Sequence, residues 1–345
     1  MNLGLLLNYD GQEVNLPLDL IKEAEAAGFD SVWVAETWGS DCITLATWIL
    51  ANTSKVKVGT AIMQVPARSP ANAAQTAMAL SGLSGNRFIC GLGVSGPQVV
   101  EGWHGVGYAK PLKRMREYID IMRQVMRRDK IALEGEIYQL PYKGAGSVGL
   151  GKSLKSILKA NTDIPIYTAS FTPGGLRLAG EIADGVIPVF LSPEKFDIIR
   201  EYIDEGFAKV PGKTAADFDV APFTHCVLGD DLEACRKPIK DMLALYVGGM
   251  GAKNKNFYND YAKRLGYVEE AEKIQDLYLA GSKVEAAKMV PDALVDEIAL
   301  VGDEARIREQ AKKWLELEKG GYLKTMITAA YSVEAAQLMA DIFKK

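Results

Sequence analysis

The chain has 345 residues, 48% hydrophobic and 24% charged, a composition that suits a folded protein with a large core and excludes a low-complexity chain. Its net charge of −4 supplies no bulk attraction to nucleic acid or to a membrane surface. The four cysteines (Cys42, Cys90, Cys226 and Cys235) show no C-x-x-C spacing, so a reducing, cytoplasmic setting is expected rather than a disulfide framework or a structural zinc site.

The N-terminus "MNLGLLLNYDG" lacks the basic leader of a signal peptide and reads as a first strand. No apolar run reaches the length needed to cross a bilayer. "LPLDLIKEAEAAG" follows with apolar residues at helical spacing and Gly28 as a stop. The beat continues through the strands "DSVWVA", "VKVGTAIM" and "RFICGLGV", each followed by a helical pattern. Residues 129–163 read as an irregular insertion containing a hairpin. "IPIYTAS", "DGVIPVF" and "FDVAPFTHCVLG" are the fifth, sixth and seventh strands, and a helical excursion spans about 231–291. "EARIREQAKKWLELEKG", the strand "LKTMITAA" and a last helix close the chain.

Eight strand-helix units imply a parallel sheet with right-handed crossovers and favour closure into a single (β/α)8 barrel over residues 1–345, with a doubly wound sheet as the alternative. Chemistry in such a barrel sits where strands end, here at positions 8–9, 36–38, 61–64, 91–97, 170–175 and 190–193. At the fifth of these, "SFTPGG" leads straight into a helix. Gly174 and Gly175 remove side chains that would keep a phosphate from the first backbone N–H groups, and Ser170 or Thr172 can add a hydroxyl. The same residues also read as a plain cap, Thr172 as N-cap and Pro173 at the first helical position. "GLGVSG" lacks one residue of the G-x-G-x-x-G fingerprint and sits on the fourth strand rather than the first. It is a weak nicotinamide site but a reasonable approach for backbone to a planar cofactor.

The segments "FDSVWVAET", "VKVGTAIMQVPARSPANAAQTAMAL", "RFICGLGVSGPQVVEGWHGVGYAKPLKRMREYI" and "LRLAGEIADGVI" together resemble the bacterial luciferase-like monooxygenase superfamily. Within it they are most similar to the branch of oxidoreductases that use the deazaflavin coenzyme F420, which includes methylenetetrahydromethanopterin reductase. The resemblance implies a barrel of the bacterial luciferase type that exchanges a hydride between F420 and a small organic substrate. It also implies a cis peptide at Ala61–Ile62, in a bulge that backs the ring with Gln64 beside it. Coenzyme phosphate is then expected on Ser170, Phe171, Thr172, Pro173, Gly174, Gly175 and Leu176. Gly93, Val94, Ser95 and Gly96 flank the ring or its side chain. An FMN-dependent monooxygenase with a partner reductase and a non-catalytic flavin-binding protein are the alternatives.

One departure stands out. Deazaflavin relatives often carry an acidic residue followed by histidine after the second strand, and here the pair is Glu36–Thr37. Strand one is apolar where the reductase carries a glutamate. Glu36 and His104 are the acid–base candidates, Glu36 also as a coenzyme contact, and each has a bland reading as a salt bridge or a hydrogen-bonded loop residue. His225 sits where strand alternation can point it inward, and Glu101 reads as helical and structural. Asn8, Thr37, Trp38 and Trp103 are expected around the substrate. No metal-ligand spacing appears, and hydride chemistry on a deazaflavin needs none. The resemblance further implies a homodimer through the helices "CITLATWILANT" and "ANAAQTAMALSGL".

Overall fold

The computed structural model describes residues 1–7, 12–159, 161–253 and 255–344. Strands and helices alternate: β1 (Asn2–Leu6), α1 (Leu18–Ala27), β2 (Ser31–Val34), α2 (Cys42–Asn52), β3 (Lys57–Thr60) with its continuation β4 (Met63–Gln64), and α3 (Pro70–Ser84). β5 (Phe88–Gly93), the short α4 (Pro97–Gly102) and α5 (Pro111–Met126) lead to an antiparallel hairpin of β6 (Leu133–Glu134) and β7 (Gln139–Leu140). The alternation resumes with β8 (Ile166–Ala169), α6 (Pro173–Ile182), β9 (Gly185–Ile187), α7 (Asp197–Phe207), β10 (Asp219–Val220) and β11 (Phe223–Leu228). After these come α8 (Leu232–Leu243), a π-helical turn (Ala244–Gly249), α9 (Phe257–Arg264), α10 (Val268–Leu279), α11 (Lys283–Lys288) and α12 (Asp292–Ile298). The chain ends with β12 (Ala299–Gly302), α13 (Glu304–Lys319), β13 (Thr325–Ala330) and α14 (Val333–Phe343).

Local signals place these elements. The Asp41 carboxylate accepts from the N–H groups of Ile43 and Thr44 and starts α2. Ser69 and Thr172 cap α3 and α6, each with proline next in line, where the missing N–H costs nothing. Gly28 ends α1 in the left-handed region, at φ 98°.

The strands pair in parallel in the order β10-β9-β8-β5-β3-β2-β1-β13-β11-β12, with β4 on β5. β10 and β11 are two pieces of one barrel strand, broken at Ala221 and Pro222. That strand pairs with β9 through β10 and with β13 through β11, so the ring closes. Val220 bridges Leu323 and the Pro222 carbonyl accepts from the Ile327 N–H, which seals the seam. The expected barrel is present. β12 is an addition that the sequence pattern did not suggest: "ALVG", wholly buried, pairs with the far half of β11.

Two aromatics fill the middle of the barrel. Trp33 and Tyr167 lie 5.9 Å apart, centroid to centroid, and with Ala61, Ile89, Ile187, Ala221 and Ile327 form an axial cluster distinct from the outer core beneath the helices. Gly4 and Gly59 face Trp33, where a Cβ on either would overlap the indole. On the inner face, Leu6, Ile62, Ala169 and Phe223 pack on this cluster and remain partly exposed. They form the floor of the mouth at the strands' C-terminal ends. At the opposite end Asp219 is buried among four donors: the hydroxyls of Tyr167 (2.9 Å) and Thr325 (2.6 Å), and the N–H groups of Lys324 and Thr325.

The added segments are tied to the barrel by charge. The buried Glu117 carboxylate on α5 accepts three backbone N–H groups, from Glu136, Ile137 and Tyr138, each at 2.9 Å. Lys195, in the loop after β9, joins Glu297 of α12 and the Leu265 carbonyl, and Tyr267 donates to the same carboxylate. Arg236 of α8 joins Asp292 and Asp296. No helix of the described residues is long and apolar enough to cross a membrane.

Candidate active site

Between β3 and β4 the chain bulges, and the peptide bond Ala61–Ile62 is cis, at the expected position. Two glycines of β5 make room for this bulge. A Cβ on Gly91 would overlap the Thr60 carbonyl oxygen, and one on Gly93 would meet the Ile62 side chain at 2.5 Å. The Thr60 hydroxyl fixes the register by donating to the Gly91 carbonyl (2.8 Å) and accepting from its N–H (2.9 Å). The glycines of "CGLG" therefore serve strand three. The space beside Gly93 is filled by Ile62, so this glycine admits the bulge on which the ring is expected to lie.

Gln64, at the end of the bulge, is buried and fully used. Its Nε2 donates to the carbonyls of Glu36 and Thr37, both at 2.9 Å, so its Oε1 must face the other way, toward His104 Nε2 at 2.7 Å. An amide oxygen has only lone pairs to offer, so His104 Nε2 carries a proton and donates to it. Glu36 is placed differently from its expected role. Arg68 donates to both of its carboxylate oxygens (2.8 and 2.7 Å), Gln64 N–H to Oε2 (2.9 Å), and Cys42 N–H lies 3.4 Å from Oε1. With that side chain only 8% exposed, the carboxylate holds the bulge rather than facing the mouth. Arg68 also pairs with Asp41. Among the described residues Glu36, Asp41 and Cys42 form one group with metal-binding atoms. Arg68 already neutralises its carboxylates, and burial pushes the Cys42 thiol far up, away from the thiolate a metal needs.

At the phosphate loop both sequence readings have their geometry. Thr172 Oγ1 accepts the Gly175 N–H (3.3 Å) and the Thr172 carbonyl accepts the Leu176 N–H. Pro173 has no N–H, so Gly174 offers the accessible amide at this helix start. Ser170 Oγ lies 3.4 Å from Thr172 Oγ1, and a Cβ on Gly175 would overlap that serine. Gly175 thus lets two hydroxyls sit together beside the Gly174 amide. Phe171 turns outward into an aromatic cluster, 5.0 Å from Tyr258 and 5.4 Å from Tyr261 of α9, while Phe190 meets Tyr246 at 5.5 Å. Arg264 of α9 donates to the carbonyls of Phe171 (3.0 Å) and Ile198 (2.9 Å), which docks the helical excursion on this loop.

Ser95 and Phe190, after β5 and β9, are non-glycine residues in the left-handed region, at φ 60° and 53°. Such backbone clusters where a site is held in shape. Gly96 begins α4. Trp38 and Trp103 stand exposed on loops after β2 and α4, and Thr37 gives its carbonyl to Gln64. Glu101 is helical as expected and accepts the Tyr108 N–H of the loop that follows. Asn8 lies outside the described residues. Sequence reasoning singled out neither Arg68 nor Arg264, whose partners lie 27 to 93 positions away. His225 shares its inner strand face with Phe223 and meets Tyr331.

A closed parallel barrel whose mouth combines a bulged third strand with a glycine-opened helix start defines an α/β barrel with its candidate site at the strand ends. The chain belongs to the luciferase-like monooxygenase family, whose model matches residues 5–320. It is 44% identical, over 99% of its length and 98% of the relative's, to a Mycobacterium tuberculosis protein named, provisionally, a coenzyme F420-dependent oxidoreductase. It is 29% identical to methylenetetrahydromethanopterin reductase of Archaeoglobus fulgidus, over 87% of this chain and 85% of that one. The solved structure of the F420-dependent tetrahydromethanopterin reductase of Methanopyrus kandleri shares the fold, with a TM-score of 0.79 at 23% identity, 99% of this chain and 97% of that chain being covered.

Proposed function

We propose that this protein is an oxidoreductase that exchanges a hydride between coenzyme F420 and a small organic substrate held at the barrel mouth. The observation that carries this reading is the convergence of two features on one end of the barrel. These are the Thr60–Gln64 bulge, backed by Gly91 and Gly93, and the Ser170–Thr172–Gly174 corner at the start of α6. The names of the full-length relatives support the same coenzyme. The protein's residues bind and orient. Ile62 backs the ring, the Gly174 amide and the two hydroxyls hold phosphate, and the helix dipole favours its charge. His104, oriented by Gln64, presents Nδ1 as a proton acceptor at the mouth. When bound, F420 supplies a carbon that gives or takes the hydride.

The four described cysteines are free and buried, in keeping with a reducing compartment such as the cytoplasm. Titration of the protein with F420 and separately with FMN tests the coenzyme. F420 is expected to bind more tightly, and FMN binding with no F420 binding would overturn the proposal. Gly174→Val places a branched side chain beside the free amide and meets only the mobile end of Leu112, at 2.9 Å. It is expected to weaken F420 binding about tenfold, or about 1.4 kcal/mol, in a folded protein. Unchanged affinity would remove the phosphate from this loop.

A further inference from the structure

Above the Trp33–Tyr167 pair the inner face of the barrel becomes polar at a place the coenzyme contacts leave unused. Successive side chains of a strand point to opposite faces. On β11, Thr224 is fully buried and Cys226 belongs to the outer core, whereas Phe223 packs on the axial cluster. His225 therefore faces the mouth, one step closer to solvent than Phe223. On β13 the same rule places Ile327, Ala329 and then Tyr331 on the inner face, and Tyr331 Oη lies 3.3 Å from His225 Nδ1. β12 offers only Ala299 opposite His225. Nε2 has no hydrogen-bond partner among the described residues. Burial alone, with no neighbouring charge, lowers this imidazole to about 4, so the ring is neutral near pH 7. A neutral ring that accepts the Tyr331 hydrogen at Nδ1 keeps an N–H at Nε2.

Four cations of the mouth loops are engaged within the protein. Arg68 holds Glu36 and Asp41, Lys110 holds Glu136, Lys195 holds Glu297, and Arg264 serves two carbonyls. A carboxylate or phosphate on the substrate would compete with the carboxylates already paired to Arg68, Lys110 and Lys195, and the floor of Leu6, Ile62, Ala169 and Phe223 is apolar. We propose that His225, positioned by Tyr331, hydrogen-bonds the substrate's oxygen through Nε2, and that the substrate is an uncharged ketone or the secondary alcohol formed from it. This rests on the hydride-exchange function proposed above. In the reducing direction, the hydride of reduced F420 forms a C–H bond at the carbonyl carbon, and the C=O π pair moves to oxygen. That oxygen takes the Nε2 proton, Nδ1 takes the Tyr331 hydrogen, and solvent reprotonates the exposed Tyr331. Ketone, hydride and proton give the alcohol and oxidised coenzyme.

The protein has only two histidines, so nitrogen-15 imidazole spectra resolve both, and the His225→Gln variant assigns them. In protein loaded with oxidised F420, butanone and cyclohexanone are expected to shift the His225 Nε2 signal saturably, and the anionic ketone levulinate is not. Tyr331→Phe is expected to mix the His225 tautomers while leaving F420 binding unchanged. Failure of F420 to bind would remove the hydride reading and this proposal with it. If F420 binds and neither ketone moves His225, the His225 assignment falls alone. Levulinate acting as well as the neutral ketones would overturn the uncharged substrate.

Discussion

Glu36 stands where barrel chemistry is expected, yet its carboxylate is engaged by the bulge and by Arg68. A carboxylate at the end of a barrel strand is in the right place for chemistry. Here it meets a two-toothed guanidinium and a backbone N–H, and these bonds hold β4 against the loop after β2. Removing the charge leaves Arg68, itself only 15% exposed, facing a weaker partner. Glu36→Gln is therefore expected to cost about 3 kcal/mol of stability, the range for breaking a largely buried pair, and to loosen Gln64. Urea denaturation checks this, and an unchanged midpoint with lost turnover would return Glu36 to chemistry. His225 adds a pH dependence of known sign. Its pKa falls from 6.5 in the unfolded chain to about 4 in the fold. The unfolded chain thus binds the proton first as pH drops. The stability this group contributes is complete above about pH 6.5 and is lost as pH falls toward 4. Comparing urea midpoints at pH 7 and pH 5 should show a smaller loss for His225→Gln than for the wild type.

At the scale of elements, the barrel was legible because parallel strands covered on both faces read as unbroken apolar runs, as "SVWV" and "FICGLG" do. β12 was not. Four apolar residues directly after α12 continue its helical pattern, and only pairing with β11 makes them a strand. The glycines of β5 were visible, but their purpose was not, since the Thr60–Ile62 bulge that fills the space lies some thirty positions earlier. The Thr172 cap and Pro173 were local and readable. The docking of α9 on that loop depends on Arg264, which gives both of its donated bonds to backbone carbonyls and lies between the Tyr202 and Tyr261 rings. Replacing it with methionine keeps much of the packing and removes those bonds. Arg264→Met is expected to weaken F420 binding severalfold while the melting temperature falls only slightly. Coenzyme titration beside a thermal melt decides it, and a large loss of stability with unchanged affinity would show that α9 serves the fold alone.

For the whole molecule the open question is what covers its apolar surface. α2 and α3 pack side by side on β3 and β5, and each also turns a large apolar residue outward: Trp48 is 60% exposed and Leu83 is 85% exposed. The segment after the β6–β7 hairpin adds Val148, Leu150, Leu154 and Ile157, all well exposed. The barrel consumes the inner faces of these helices, through Ala46, Ile49, Ala73, Ala77 and Met78, but leaves their outer faces bare. Apolar surface of this kind on a folded chain marks a place where another surface docks. Two-fold pairing of identical patches is the simplest way to close it. We therefore expect a homodimer that buries α2 and α3, with each barrel mouth complete within its own chain. Light scattering at micromolar concentration should give twice the chain mass. Trp48→Glu combined with Leu83→Glu places charges at the centre of the contact and should give a folded monomer. That monomer should still bind F420, because the bulge, the phosphate loop and His225 all come from one chain. A wild-type monomer would show that these helices need no partner, and a charged double variant that stays dimeric would move the interface to another face.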